Sequence, residues 1–189
     1  MDDSILLRRI KKGDENAFDE LIKKYYPEIF TYAYRFMGKR ADAEDITQET
    51  FLRFIKNFDE YTHQNKCKNF LYVIAGNLCK NALSLCENRK TMSIECIQEN
   101  VQSAQNSLFS NVFIAKNDIE ENENILVIEK AIQQLNSEEK ELLLLRYTQD
   151  LKFAEIAKIT NLSPSTVKYK LKRTVNILQK LLERKDFYE

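Results

Sequence analysis

Hydrophobic side chains recur at spacings of three and four residues through the first 86 residues, which predicts a block of amphipathic helices. Asp14 is a predicted N-cap, and Pro27 is predicted to end the helix that follows and to begin the next one. Gly38 is predicted to stop that second helix. The apolar positions of these two helices are Phe18, Leu21, Ile22, Tyr25, Ile29, Phe30, Ala33, Tyr34 and Met37.

Two further helices complete this predicted block. Asp42 is predicted to open the third helix, with Asp45 at the capping-box position three residues later. A polar loop at 59–68 leads to a fourth helix, predicted from about Asn69. The apolar positions of these helices are Ile46, Phe51, Phe54, Ile55, Phe58, Phe70, Leu71, Ile74, Leu78 and Leu85.

Residues 87–123 lose this periodicity and are rich in Asn, Gln, Ser and Glu. This composition predicts an acidic interdomain linker, with a short helical turn at 111–116. A connection of this length is usually functional or disordered.

A second helical block is predicted over 124–189. Its first helix is marked by Ile125, Ile128, Ile132 and Leu135. Ser137 is predicted to cap the next helix, and the leucines at 142–145 to supply its core.

A helix-turn-helix pattern ends this block. Ala157 is small where two helices must approach, Asn161 suits a left-handed turn, and Ser163 and Pro164 suit the start of a second helix. The predicted buried face of that helix is Val167, Leu171, Thr174, Leu178 and Leu181. The side chains predicted to point away from it are Lys168, Tyr169, Lys172 and Arg173.

Charge is distributed unevenly, although 29 basic and 29 acidic residues balance. The middle segment is acidic, and the ten residues 164–173 carry four basic side chains and no acidic one. Such a concentration of positive charge favours a helix that enters the major groove of DNA.

The amino-acid composition narrows the classes of fold and function that remain possible. Three glycines and two prolines favour an all-α fold, here two small helical domains joined by a flexible linker. Four cysteines without a C-x-x-C pair, and His63 as the one histidine, disfavour a zinc site and predict free thiols. The absence of a long apolar run or a catalytic motif predicts a cytoplasmic protein that neither inserts in a membrane nor acts as an enzyme, and that needs no cofactor.

Two segments resemble one family. The string at 42–54, DAEDITQETFLRF, resembles region 2.2 of the extracytoplasmic-function sigma factors, small members of the bacterial sigma-70 family. FLYVIAGN at 70–77 is similar to the family's region 2.3–2.4, with Phe70 in place of the usual Trp. The second helical block resembles region 4. The resemblance implies sigma region 2 at 1–86, the linker at 87–123 and sigma region 4 at 124–189.

The resemblance also implies a function. Such proteins bind core RNA polymerase, through the β′ clamp helices and the β flap, and direct it to the promoters of a specialised stress or envelope regulon. The residues that match the polymerase-binding face are Asp45, Gln48, Glu49, Phe51 and Ile55. Polar groups that flank aromatic side chains beyond what a small core can bury also favour a partner surface.

Promoter contacts are expected at two places. The candidates for the −10 element, where flipped bases need stacking and edge contacts, are Tyr61, Lys66, Lys68, Asn69, Phe70, Tyr72, Asn77, Lys80 and Asn81. Ordinary core packing is an equally good interpretation of the two aromatic residues of the fourth helix in this set. Positions where the family often has Arg hold Val73, Gly76 and Ser84. The candidates for the −35 element are Ser165, Thr166, Lys168, Tyr169, Lys172 and Arg173.

Further implied partners are promoter DNA and an anti-sigma factor. A stand-alone helix-turn-helix regulator remains an alternative, but it leaves the string at 42–54 unexplained.

Overall fold

The computed structural model describes residues 3–58, 67–90 and 127–183, and these parts of the chain contain helices and no strand. The prediction of an all-α fold is therefore confirmed. The helices are α1 Asp3–Lys11, α2 Glu15–Met37, α3 Arg40–Lys56, α4 Cys67–Lys90, α5 at 127–133, α6 Ser137–Tyr147, α7 Phe153–Thr160 and α8 Pro164–Leu182.

Helix α2 corrects the prediction that Pro27 separates two helices. It begins after Asp14, whose side chain accepts a hydrogen bond from the Ala17 amide at 3.3 Å, and continues through Pro27 to Gly38. Gly38 has φ 75°, the left-handed conformation predicted for a helix stop. An apolar stripe on both sides of the proline is buried, so tertiary packing outweighs the lost backbone hydrogen bond. That stripe consists of Ala17, Leu21, Tyr25, Ile29, Tyr32, Ala33 and Phe36.

Two other boundaries in this block differ from the prediction. Helix α3 begins at Arg40, with Lys39 as an N-cap that makes no side-chain cap hydrogen bond, so Asp42 lies in the first turn and the predicted capping box does not form. Helix α1 was not predicted at all, although its buried Leu6 and Leu7 fix it against the core.

The second block follows the predicted order of helices. Asn136, not Ser137, caps α6, and it forms a reciprocal capping box with Glu139. The leucines at 142–145 are all buried, as predicted. Asn161 ends α7 with φ 56°, and Ser163 caps α8 by accepting a hydrogen bond from the Thr166 amide at 3.1 Å. The predicted turn at Asn161 and the predicted cap at Ser163 are confirmed, whereas the predicted cap at Ser137 is wrong.

The two blocks share one core. Buried residues of α2, α3 and α4 form a single cluster with residues of α6 and α7, and α2 and α4 both pack against the second block. A smaller cluster of Ile132, Leu135 and Leu143 lies against the apolar side of α8. The predicted helical turn at 111–116 and the apolar position Ile125 lie outside the described residues.

Candidate nucleic-acid and protein interfaces

Helix α8 presents a basic face. Val167, Leu171 and Thr174 are buried on one side of the helix. Tyr169 is 70% exposed on the other, and Lys168, Lys172 and Arg173 are exposed with it. These four side chains lie together on the surface as predicted, because Pro164 and the Ser163 cap fix where the helix starts.

Neighbouring contacts define the limits of this face. Lys170 is held by Glu138 of α6 at 2.5 Å, which directs one of the four positive charges towards the protein. The hydroxyl groups of Ser165 and Thr166 lie 2.9 and 2.7 Å from the Ser163 hydroxyl, at the first turn. Ser165 is exposed and Thr166 is half-buried, so both lie at the helix start beside the basic face.

Helix α3 carries a second exposed face. Asp45 and Gln48 are exposed, and Glu49 is half-buried and bonded to Arg53 at 2.6 Å. Ile55 is 45% exposed on the same helix. These four residues thus form a mixed polar and apolar surface, a composition typical of protein interfaces.

Phe51 does not lie on this face. It is 4% exposed and stacks on Tyr26, and Phe54 and Phe58 are buried as well. The prediction that the core could not bury these aromatic residues is therefore wrong, because α2 and α4 enclose that side of α3. The exposed apolar residue is Leu52, at 60%, which was not among the predicted residues. Its signal was the helical spacing from Asp45 and Gln48.

Helix α4 divides the predicted −10 residues into two groups. Asn77 and Asn81 are exposed, and Phe70 is half-buried with its ring 5.9 Å from that of Phe54. Lys68 is half-buried and bonded to Glu28 at 2.8 Å. These four residues leave some surface for a ligand. Tyr61 and Lys66 lie outside the described residues.

Asn69 and Tyr72 belong to the buried group. Asn69 is 4% exposed. Tyr72 has no exposed surface, and its ring packs edge-on against Tyr32 at 5.3 Å. Its hydroxyl donates to the Gln149 side chain, which follows α6, and burial raises the pKa of Tyr72. For this residue the core interpretation describes its position correctly.

Lys80 is engaged across the two blocks. Its Nζ lies 3.1 Å from both carboxylate oxygens of Glu141 on α6. Glu141 is 3% exposed, and burial raises the pKa of its carboxyl group, while the neighbouring Lys80 lowers it. A predicted DNA-binding lysine therefore neutralises an acid of the second block.

The cysteines of the described residues are free thiols. Cys67 and Cys79 are buried and Cys86 is exposed. Burial raises the pKa of Cys67 to about 12, so its thiol is protonated and unreactive at neutral pH. Across the described ranges, no helix has both the length and the apolar character that crossing a bilayer requires.

Comparison with known families agrees with this geometry. The family profile of Sigma-70 region 2 matches residues 21–85, and that of Sigma-70 region 4 matches residues 125–178. Together they cover more than half of the chain, in the order of the two helical blocks. The chain belongs to the extracytoplasmic-function (ECF) sigma factors of the sigma-70 family.

This ECF sigma factor has full-length relatives. It is 27% identical to the ECF RNA polymerase sigma factor SigW of Bacillus subtilis, over 93% of this chain and 94% of the relative. It is 26% identical to the RNA polymerase sigma-H factor of Pseudomonas aeruginosa, over 96% of this chain and 94% of the relative.

Solved structures share the fold of this sigma factor. The sigma factor RpoE in complex with the anti-sigma factor NepR, from Bartonella quintana, superposes with a TM-score of 0.68 at 20% identity, covering 88% of this chain and 98% of that one. CnrH in complex with the cytosolic domain of CnrY gives a TM-score of 0.66 at 17% identity, covering 95% and 96%.

Proposed function

We propose that this sigma factor binds core RNA polymerase through the exposed face of α3 and the promoter −35 element through the basic face of α8. The observation that carries the proposal is the basic face of α8, where Lys168, Lys172, Arg173 and Tyr169 are exposed opposite a buried apolar side. With core polymerase bound, the chain selects promoters of a specialised regulon, and its site of action is the cytoplasm.

Each exposed residue of α8 is assigned a different kind of contact with DNA. The planar guanidinium of Arg173 matches the two acceptors of a guanine in the major groove. Lys168 and Lys172 neutralise phosphates or reach base edges, and the exposed ring of Tyr169 packs on a thymine methyl or a sugar. Ser165 and Thr166, at the helix start, contact the DNA backbone.

The face of α3 fits a protein partner. Leu52 and Ile55 supply apolar area, with Asp45, Gln48 and Glu49 around them. An apolar centre with a polar rim is the usual composition of such interfaces. We assign this face to the β′ clamp helices and the second block to the β flap.

The exposed part of α4 completes the promoter contacts. Phe70, Asn77 and Asn81 offer a ring and two amides to an unpaired base of the −10 element. Tyr72 and Lys80 join them only if the second block moves away, because Gln149 and Glu141 occupy them here.

An anti-sigma factor is the second proposed protein partner. Two solved neighbours are described as complexes with such proteins or with a partner's cytosolic domain. The alternative of a stand-alone helix-turn-helix regulator leaves the face of α3 without a role, and it is not favoured.

Co-migration with bacterial core RNA polymerase in size-exclusion chromatography tests the proposal. We expect the chain to form a stoichiometric complex with the polymerase. We expect Ile55→Arg to weaken that complex, because a charge replaces apolar contact area. Ile5→Arg on α1 is the matched control, since Ile5 is 43% exposed and Ile55 45%. Far-UV circular dichroism checks that both variants fold.

Two results would contradict this assignment. A chain that never co-migrates with core polymerase, and instead binds duplex DNA as a free dimer, is a stand-alone regulator. Equal polymerase binding by Ile55→Arg and Ile5→Arg removes the assignment of α3.

A further inference from the structure

Helix α4 meets the second block at a glycine. Gly76 lies at the interface, and a Cβ atom at this position would stand 2.6 Å from Oε1 of Glu141 and 3.2 Å from the hydroxyl of Tyr32. No real side chain tolerates the shorter distance without a shift. The carboxylate of Glu141 therefore fills the space beside Gly76, and a side chain at position 76 would displace it.

The carboxylate is held in this space from α4 itself. Lys80, one helical turn after Gly76, donates to both oxygens of Glu141 at 3.1 Å. The side chain of Glu141 is 4% exposed, so the carboxylate of this ion pair is shielded from water. A buried acid needs such a partner, since an unpaired charge in this position is strongly unfavourable.

Two further contacts join the blocks on either side of this pair. The Tyr72 hydroxyl donates to Gln149, which follows α6. The Gln133 side chain, at the end of α5, donates to the Arg35 carbonyl of α2 at 2.8 Å. Beneath them, buried residues of α4 such as Leu71 and Ala75 share a core with Leu142 and Leu145. The interface between the two blocks thus combines apolar packing, hydrogen bonds and an ion pair.

This closed interface covers two of the residues assigned to the −10 element. Lys80 is paired with Glu141, and Tyr72, whose ring packs against Tyr32 of its own block, has its hydroxyl bonded to Gln149. We propose that the Glu141 carboxylate, seated on Gly76 and held by Lys80, locks the second block over α4, so that in the free chain Lys80 and Tyr72 are withheld from the −10 element until the blocks separate. The regulatory meaning rests on the proposed −10 role of α4, whereas the closure itself does not.

The closure is tested by the distance between the blocks. The parent chain for the measurement carries Cys86→Ser and Cys96→Ser, with fluorophores on Asp19→Cys in α2 and Lys180→Cys in α8, both exposed positions. Single-molecule energy transfer then reports closure without any DNA or polymerase. The parent shows a dominant high-transfer population. A parent that is mostly low-transfer overturns the proposal.

Variants of the seat locate the lock. Gly76→Ala and Glu141→Lys shift molecules to low transfer, the first by displacing the carboxylate and the second by placing two positive charges together. The charge exchange Lys80→Glu with Glu141→Lys restores high transfer, because it rebuilds the pair. Ser84→Ala, exposed on the same helix, is the control. Unchanged transfer in Gly76→Ala and Glu141→Lys overturns the assignment of the seat.

Gly76→Ala is not expected to damage α4, because alanine favours a helix more than glycine does. Circular dichroism of each variant verifies that its helices persist. A labelled pool of random single-stranded DNA then probes the uncovered face, and Gly76→Ala retains severalfold more of it than the parent. If energy transfer shows that Gly76→Ala separates the blocks but the variant retains no more single-stranded DNA than the parent, the inhibitory role is wrong, and so is the −10 assignment of α4. The separate polymerase assay on α3 is untouched by either result.

Discussion

Asn161 has a backbone conformation that side chains with a Cβ usually avoid. Its φ of 56° and ψ of 36° place it in the left-handed region, where it ends α7 and turns the chain towards α8. The Leu162 amide then reaches the Ala157 carbonyl at 3.1 Å, which closes the turn. The orientation of α8 therefore depends on one residue that tolerates this conformation.

Replacing Asn161 tests that dependence. Asn161→Ala is expected to lower the free energy of unfolding by about 1 kcal/mol, because alanine is disfavoured in the left-handed region. Asn161→Gly should leave stability nearly unchanged, since glycine enters this region freely. Urea unfolding followed by circular dichroism measures both. Equal destabilisation by the two variants would mean that the asparagine side chain, not the backbone conformation, matters.

Two tyrosines mark how far single residues could be assigned from sequence. Tyr72 and Tyr169 both have lysines near them in the chain, and both were predicted to touch DNA. Tyr169 is 70% exposed, whereas Tyr72 has no exposed surface and bonds to Gln149. Local sequence does not distinguish them, because the contacts of Tyr72 come from distant parts of the chain, the ring of Tyr32 and the side chain of Gln149, 77 residues away.

At the level of elements, α8 follows the sequence most closely. Its cap, its proline and its apolar repeat all specify the same start and the same buried side. The prediction of an exposed basic face succeeded because these local signals agree. For α3 the local signals did not agree. The predicted cap at Asp42 was wrong, and Phe51 was assigned to the surface where Leu52 lies. Helix α2 continues through Pro27 because packing on both sides outweighs the local preference.

Arg173 tests the role of α8. Arg173→Ala is expected to weaken binding of a −35 duplex by about 1–3 kcal/mol and to relax preference at one base pair, because a bidentate contact to guanine is lost. Lys180→Ala, which removes one exposed positive charge from the last turn of the same helix, is the matched control. Fluorescence anisotropy against a set of −35 variants, in the presence of core polymerase, measures both changes.

The comparison with Lys180→Ala separates base readout from general attraction. If both variants weaken binding equally for every sequence, Arg173 acts only as a positive charge near phosphates. If Arg173→Ala binds all −35 variants as the parent does, the residue does not contact this element.

At the scale of the whole molecule, the sequence predicted two helical blocks but not their packing. Glu141 lies between leucines and a lysine on a charged helix, and this local pattern is that of an ordinary solvated acid. Only the fold brings it to Gly76 and Lys80, 61 residues from the latter. Gly76 lies where the family often has Arg, and nothing in the local sequence indicates that the Glu141 carboxylate fills the space beside it.

The balance between closed and open forms should depend on pH through the buried acids. In the closed form, burial raises the pKa of Glu141 above its ordinary value of 4.5; Lys80 of α4 opposes this rise, and Glu138 of α6 adds to it. Burial also raises the pKa of Glu129 on α5, against Arg35 of α2. The Tyr32 hydroxyl, also beside Gly76, does not titrate near neutral pH, because its own pKa is raised well above 10.

The sign follows from the raised pKa values. A carboxyl that binds its proton more tightly when closed favours closure at acidic pH, and this contribution is lost as the pH rises through the raised pKa. In the two-label measurement, the fraction of high-transfer molecules should therefore decrease as the pH rises from the ordinary carboxyl pKa through the raised pKa of Glu141. Glu141→Gln, which carries no charge at any pH, keeps the shape of the side chain and can still accept a hydrogen bond from Lys80. It should therefore remain closed, and the pH dependence that it retains should come from Glu129. A parent whose closure strengthens as the pH rises would mean that the ion pair with Lys80 outweighs the cost of burying the carboxylate, so that closure lowers the pKa of Glu141 instead of raising it.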